Sequence, residues 1–340
     1  MGRSLKILSG LDPAFWPATP IFVRFGPGFE VQNLKFCPVP DLASKAINRG
    51  PILPPELERE IFERAACMCP GDIPSLLLVS QRVNEWIAPI RYRTVTSDGA
   101  HSTFPFRALQ RAIQSNLRPL CFFRAHVRHL TVPYSFLRDE TSETVEQIIS
   151  ACSGIQYFVF IHQLSPSLVP ALANLRPHRL YTYLDPQLFA YLDPQLFVEA
   201  PLYRPMFTFV THLALWHVTS SMSDTSRWLS FLAFVPSLTH LLIHDAFEAV
   251  PHILAASEGL KVLIDYDYLP YTPELDNAGS DDRFVFMKIR TFVEDWVRGT
   301  RGEMDYWARA DMFVAKKRRG EIQPKTRCWI EKADEIPGTG

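Results

Sequence analysis

VTHLAL, residues 210–215, returns as LTHLLI at 238–243, and the distance between the two decides how the chain is read. The same apolar-x-x-apolar-x-apolar form occurs as VRHLTV (127–132), IQYFVF (155–160), PHRLYT (177–182) and LKVLID (260–265). Its fourth position, Leu130, Phe158, Leu180, Leu213, Leu241 and Leu263, recurs at steps of 28, 22, 33, 28 and 22 residues. A short run with alternate apolar side chains reads as a strand, and a strand repeated at a near-constant interval reads as a stack of similar units. The long step has a local cause. YLDPQLFA (183–190) is followed at once by the tandem copy YLDPQLFV (191–198), and removing one copy brings the step to 25. Because longer loops cost little extra entropy, such a copy is tolerated on a surface connection.

Between the strand units lie amphipathic stretches. SETVEQIISAC (142–152) puts Val145, Ile148, Ile149 and Cys152 on one helical face, and DTSRWLSFLAFV (224–235) does the same with Trp228, Leu229, Leu232 and Val235. Strands alternating with helices predict an α/β chain with a parallel sheet, its repeats of about 20 to 29 residues resembling a leucine-rich-repeat-like solenoid. Phe284, Val285, Phe286 and Ile289 offer a last strand unit.

Side chains alternate across a strand, so the fourth and sixth positions point to the helices and the third, fifth and seventh to the opposite face. The third position reads His129, Tyr157, Arg179, His212, His240 and Val262; the seventh reads Pro133, Ile161, Tyr183, Trp216, His244 and Tyr266. A face rich in His, Tyr, Trp and Arg has the composition of a protein interface. His129, Tyr157, Arg179, His212, Trp216, His240, His244 and Tyr266 are therefore candidate target-binding residues. The alternative is that a C-terminal segment covers them. For that segment, a helix is expected from Glu303, with Trp307, Ala310 and Val314 on one face and Lys316 to Arg319 at its negative end. The run KKRR (316–319) reads either as a solvated helix end or as a nuclear import signal.

The stretch PILPPELEREIFERAA (51–66) begins a different kind of structure. Pro54 and Pro55 fit the first turn of a helix, Glu56, Glu58 and Glu60 suit its positive end, and Leu57, Ile61 and Ala65 form an apolar stripe that Phe62 broadens. CMCPGD (67–72) reads as a turn. Asp72 is a candidate cap for a second, buried helix containing Ile73, Leu76, Leu77 and Val79, and Ser80 for a third, carrying Val83, Trp86, Ile87 and Ile90 and closed by Pro89. Three short helices bury too little surface to stand alone, so a partner or a following domain is expected.

The pattern LPPELEREIF followed by IPSLLLVSQRVNEWIAPIRYRTV resembles an F-box or F-box-like domain of the kind common in mushroom-forming fungi. The repeat region and closing helix are similar to the degenerate leucine-rich repeats that follow such domains. The resemblance implies a substrate receptor of a cullin-RING ubiquitin ligase. It also implies that Leu53, Pro54, Leu57, Ile61, Leu77, Val79 and Ser80 lie at or beneath the surface that docks the Skp-type adaptor. The other reading of these residues is a bundle that only caps the repeat domain. The expected organisation is an N-terminal extension (1–50), an F-box-like module (51–95), a leucine-rich-repeat-like domain (96–290), capping helices (291–322) and a flexible tail (323–340).

Composition sets the outer limits. Hydrophobic residues at 47% and charged residues at 21% are globular values. A net charge of −1 gives no overall attraction to nucleic acid or anionic lipid, so binding to either needs a local patch. No run reaches the roughly 18 apolar residues of a membrane span. The cysteines at 37, 67, 69, 121, 152 and 328 form no framework, which points to reduced, buried thiols in a cytoplasmic protein. Neither His240 with His244 nor Cys67-x-Cys69 completes a ligand set, GPG at 26–28 lacks the lysine of a phosphate loop, and no Gly-x-Ser-x-Gly elbow occurs. The expectation is a non-enzyme without metal or cofactor, whose partners are an adaptor and a protein target, with neither nucleic acid nor membrane among them.

Overall fold

A computed structural model describes residues 53–96, 104–132, 141–160, 168–183, 204–216, 232–244, 249–266, 280–289, 292–331 and 334. Expectations for residues 1–50, for nearly all of the tandem copy and for Trp228 and Leu229 fall outside the described residues.

The strand units pair as their spacing predicts. β1 (Thr94–Val95), β2 (His129–Val132), β3 (Tyr157–Phe160), β4 (Arg179–Tyr183), β5 (His212–Trp216), β6 (His240–His244), β7 (Val262–Tyr266) and β8 (Phe284–Met287) form one sheet in sequence order. Every neighbouring pair is parallel, with Val95, Leu130, Phe158, Leu180, Leu213, Leu241, Leu263 and Phe284 aligned in register. This mixed α/β arrangement follows from connections long enough to cross back over one sheet face. All eight aligned side chains are at most 5% exposed, each worth about 1.5–3 kcal/mol of apolar burial.

The crossing helices fill that side. α4 (Phe104–Gln114), α5 (Leu120–His126), α6 (Ser142–Ala151), α7 (Val169–Ala173), α8 (Arg204–Phe207) and α9 (Val250–Ala256) contribute Phe106, Leu109, Phe123, Val145, Ile148, Leu172, Phe207 and Ile253 to one core with the fourth-position residues and Val132, Phe160, Leu215 and Ile243 of the sixth; the sixth position is polar at Thr182 and Asp265. In α6, Val145, Ile148, Ile149 and the adjoining Cys152 are all buried. Gly154, in the α6–β3 turn, stands where any Cβ would lie 1.9 Å from the Arg124 carbonyl oxygen, so α5 can end against it only if that residue is glycine.

At the N-terminal end, α1 (Pro55–Met68), α2 (Ile73–Leu76) and α3 (Gln81–Arg93) enclose a small core of Ala66, Ile73, Val83 and Ile87, with Phe62, Leu76, Leu77, Trp86 and Ile90 packed against it. The proline start of α1 and the Ser80 cap of α3 are present, the Ser80 hydroxyl accepting from the Val83 N–H at 3.3 Å. Three expectations fail. Asp72 makes no side-chain cap because its backbone is already helical (φ −87°, ψ −8°), continuing the 3-10 turn Pro70–Asp72. α2 is a single turn with only Ile73 buried, since Leu78 and Val79 lie beyond it facing water. Pro89 sits inside α3 and does not close it; the burial of Ile87 and Ala88 holds the helix across the missing N–H. α3 runs straight into β1, and Tyr92 meets the rings of Phe122 and Phe123 edge-on at 5.6 and 5.5 Å.

α10 (Phe292–Thr300) and α11 (Tyr306–Arg318) close the chain on the other face of the sheet, bringing Trp296, Tyr306, Trp307, Ala310, Phe313 and Val314 into a second core with Tyr157, Val159, Tyr181, Ala214, Leu242 and Ile264. α11 starts at Tyr306, later than Glu303, because the extended Asp305 caps it: its carboxylate accepts from the Ala308 N–H at 2.9 Å. Within the segment expected to be a flexible tail, Arg327 and Cys328 are buried and Trp329 and Ile330 half-buried, while 323–326 and Glu331 are exposed. Phe286 N–H donates to the Cys328 carbonyl at 2.6 Å and Trp329 bridges to Phe286, covering the β8 edge, while Arg327 grips Asp334 with two bonds of 2.9 Å.

Candidate functional site

Two apolar faces have to be told apart, one open and one closed. On α1, the inward side is Phe62, Ala65 and Ala66, together with Glu58, whose carboxylate takes a 2.6 Å bond from Arg82. The stripe of Leu57 and Ile61 therefore points outward, 50% and 54% exposed. Leu53 before the helix, Met68 at its end, and Leu78 and Val79 between α2 and α3 are exposed as well. Of the residues expected at an adaptor surface, Leu53, Pro54, Leu57, Ile61 and Val79 face water, Leu77 is half-buried against the bundle core, and the Ser80 hydroxyl is engaged as a cap. Met68 and Leu78 were not anticipated. They fall outside the i, i+4 stripe, and only the early end of α2 exposes Leu78.

The histidine-rich sheet face is closed. Tyr157, His240 and Tyr266 are 5%, 6% and 1% exposed, and His129, Arg179, His212 and His244 are half-buried. Trp216 ends β5, and its side chain falls outside the described residues. The expectation of an open target-binding face thus gives way to its alternative, a C-terminal cover. The His212 and His240 rings stack at 4.1 Å, and Trp307 meets both edge-on at 5.2 and 5.8 Å. His240 Nε2 lies 3.0 Å from Asp311 Oδ1 on α11, and Arg179 donates to Asp305 at 2.8 Å while lying over the Tyr157 ring. Tyr157 also packs against Trp296 at 5.3 Å, and Asp295 pairs with Arg309. Trp296, Asp305, Tyr306 and Asp311 were missed because their significance depends on which strands they land upon.

Burial governs the protonation of this layer. It pushes His212 down to about 2, helped by His240, Arg179 and Lys261, and His129 down to about 4, helped by Arg93, Arg179 and Arg128. It pushes the Tyr157 phenol up to about 12 and raises the Asp295 carboxyl despite Arg309. The His212 ring, held neutral by burial and packed between His240 and Trp307, acts as part of a core.

Other sequence candidates resolve simply. Cys67, Cys69 and Cys121 are exposed thiols, contrary to the expectation of buried ones, and Cys152 and Cys328 are buried. Within the KKRR run, Lys317 is buried and donates to the Asp281 carbonyl at 3.1 Å. Among the described residues no group of three or more His, Cys, Asp or Glu stands together as a metal site, and no helix is long and apolar enough to cross a membrane. Comparison with family models, with curated proteins and with solved structures finds no match to this chain.

Proposed function

We propose that the chain is a substrate receptor of a cullin-RING ubiquitin ligase, with α1 to α3 as an F-box-like module that docks a Skp-type adaptor and the eight-stranded body as a leucine-rich-repeat-like domain that holds a protein target. One observation carries the reading: the apolar stripe of Leu57 and Ile61, at positions where the F-box resemblance expects adaptor contact, is turned to water by a bundle that buries its other side. Exposed apolar side chains on so small a bundle are what a partner surface would supply with cover. The proposed role is binding alone, without catalysis, in the cytoplasm or nucleus.

A capping role without a ligase is the second reading, and the direct run of α3 into β1 favours it. The two separate in an adaptor capture experiment. Wild type should retain the Skp-type adaptor, and Leu57→Asp and Ile61→Asp should each lose most of it while keeping the native circular dichroism spectrum. Equal recovery by all three proteins would remove the receptor reading and leave the cap.

A further inference from the structure

We propose that the ends of α3 and α5 form an arginine surface for an acidic polypeptide segment; that this segment belongs to a ubiquitination target rests on the receptor reading above. The chain as a whole is almost neutral, but from Arg91 to Arg128 it carries arginines at 91, 93, 107, 111, 118, 124 and 128 against a single acid, Asp98. The fold gathers five of them. β1 and β2 are parallel neighbours, so the two helices that lead into them end side by side, and Arg128 N–H donates to the Arg93 carbonyl at 3.0 Å. Around that junction Arg91 and Arg93 close α3, Arg124 closes α5, Arg128 precedes β2, and Arg118 lies over the Phe122 ring. Their mutual proximity registers on the groups between them: Arg93 and Arg128 both act on His129, Arg128 acts on His126, and Arg91 and Arg118 act on Tyr92.

Among the described residues no carboxylate pairs with Arg91, Arg93 or Arg124. All three are exposed, whereas Arg82, Arg179, Arg283, Arg309 and Arg327 each have a carboxylate. Helix C-termini favour cations, but that field extends only over the last turn; beyond it Arg118 donates to the Asn84 side-chain oxygen and Arg128 to the Gly154 carbonyl at 3.0 Å, bonds to neutral acceptors that leave the charge of both in place. Planar guanidinium forks fit carboxylates two bonds at a time, which suits an acidic peptide. A nucleic acid fits worse. The local rings are engaged with one another, Tyr92, Phe122 and Phe123 edge to face and His126 at 4.7 Å from Phe122, and Arg118 sits over Phe122, which leaves little ring face for base stacking among the described residues. The junction also spans only two strands, roughly 5 Å apart, too short for a duplex phosphate track.

Fluorescence anisotropy of the full chain with labelled poly-glutamate, poly-glutamine, single-stranded DNA and duplex DNA tests this. Poly-glutamate should bind best, and Arg91→Glu combined with Arg93→Glu should weaken it by about tenfold. Arg124→Glu alone, further from the sheet, should act in the same direction, and unchanged thermal melting shows each variant folded. DNA binding that exceeds poly-glutamate binding, or poly-glutamate binding that the folded variants retain, overturns the proposal. The two proposals fail separately: the arginine variants should keep adaptor capture, and Leu57→Asp should keep poly-glutamate binding.

Discussion

The outer side of α1 and the histidine-rich face of the sheet begin from similar composition and end in opposite states. Both carry large apolar or aromatic residues at regular spacing. Over the sheet, α10 and α11 provide two tryptophans, a tyrosine and three carboxylates aimed at particular partners, and Tyr157 and His240 vanish from the surface. Over Leu57 and Ile61 no described segment of the chain does the same. Apolar character alone therefore does not mark a binding face; what marks it is apolar character that the rest of the fold declines to cover.

The sharpest way to break the comparison is to damage the covered face. Trp307, 1% exposed and touching both stacked histidines, should cost about 3–5 kcal/mol when replaced by alanine, read as a lower urea midpoint. A loss under about 1 kcal/mol would mean that α11 rests on the sheet only loosely, and the face would again be a candidate docking surface.

Acid should act on the same face with a smaller effect. His129 and His212 have folded pKa values of about 4 and about 2, both below the ordinary value near 6.5. The unfolded chain therefore takes up protons that the folded chain refuses once the pH falls below about 6.5. Stability is complete above that pH and declines on acidification, ending near pH 4 for His129 and continuing toward pH 2 for His212. At a pH of about 4.5 the loss should be about 2–3 kcal/mol for each histidine. The charged groups around them are Arg93, Arg128, Arg179 and Lys261, which oppose protonation, with Asp311 bonded to His240 on the far ring. Urea melts of His212→Gln between neutral and acid pH should keep only about half of the wild-type slope. An unchanged slope would mean that water reaches the stacked pair.

The sheet was legible in the sequence and its cover was not, for a physical reason. A strand packed beneath crossing helices must be apolar at alternate positions, and the repeat interval fixes which residues align, so Leu130, Phe158 and Leu180 could be matched from the sequence alone. The cover depends on pairs such as Asp305 with Arg179, 126 residues apart, and no local pattern links two such positions. The orientation of α1 escaped for a related reason. Leu57 with Ile61 and Phe62 with Ala66 are both i, i+4 apolar pairs, and only the Glu58–Arg82 bond and the small core around Ala66 decide which side turns in. The Ser80 cap needed no distant partner, and there the local reading was sufficient.

The smallest expected effect tests the open side. Truncating Leu57 or Ile61 to alanine removes methyl groups that already meet water over about half their surface. No cavity forms, alanine is the better helix former, and the change in stability should stay within about 0.5 kcal/mol. The contrast with Trp307 then spans nearly an order of magnitude in energy between two equally apolar sites. If either truncation instead lowers the urea midpoint by the equivalent of more than about 1 kcal/mol, some segment of the same chain must already be seated on that stripe. The difference between the two faces would then disappear, and with it the physical reason to look for an adaptor there.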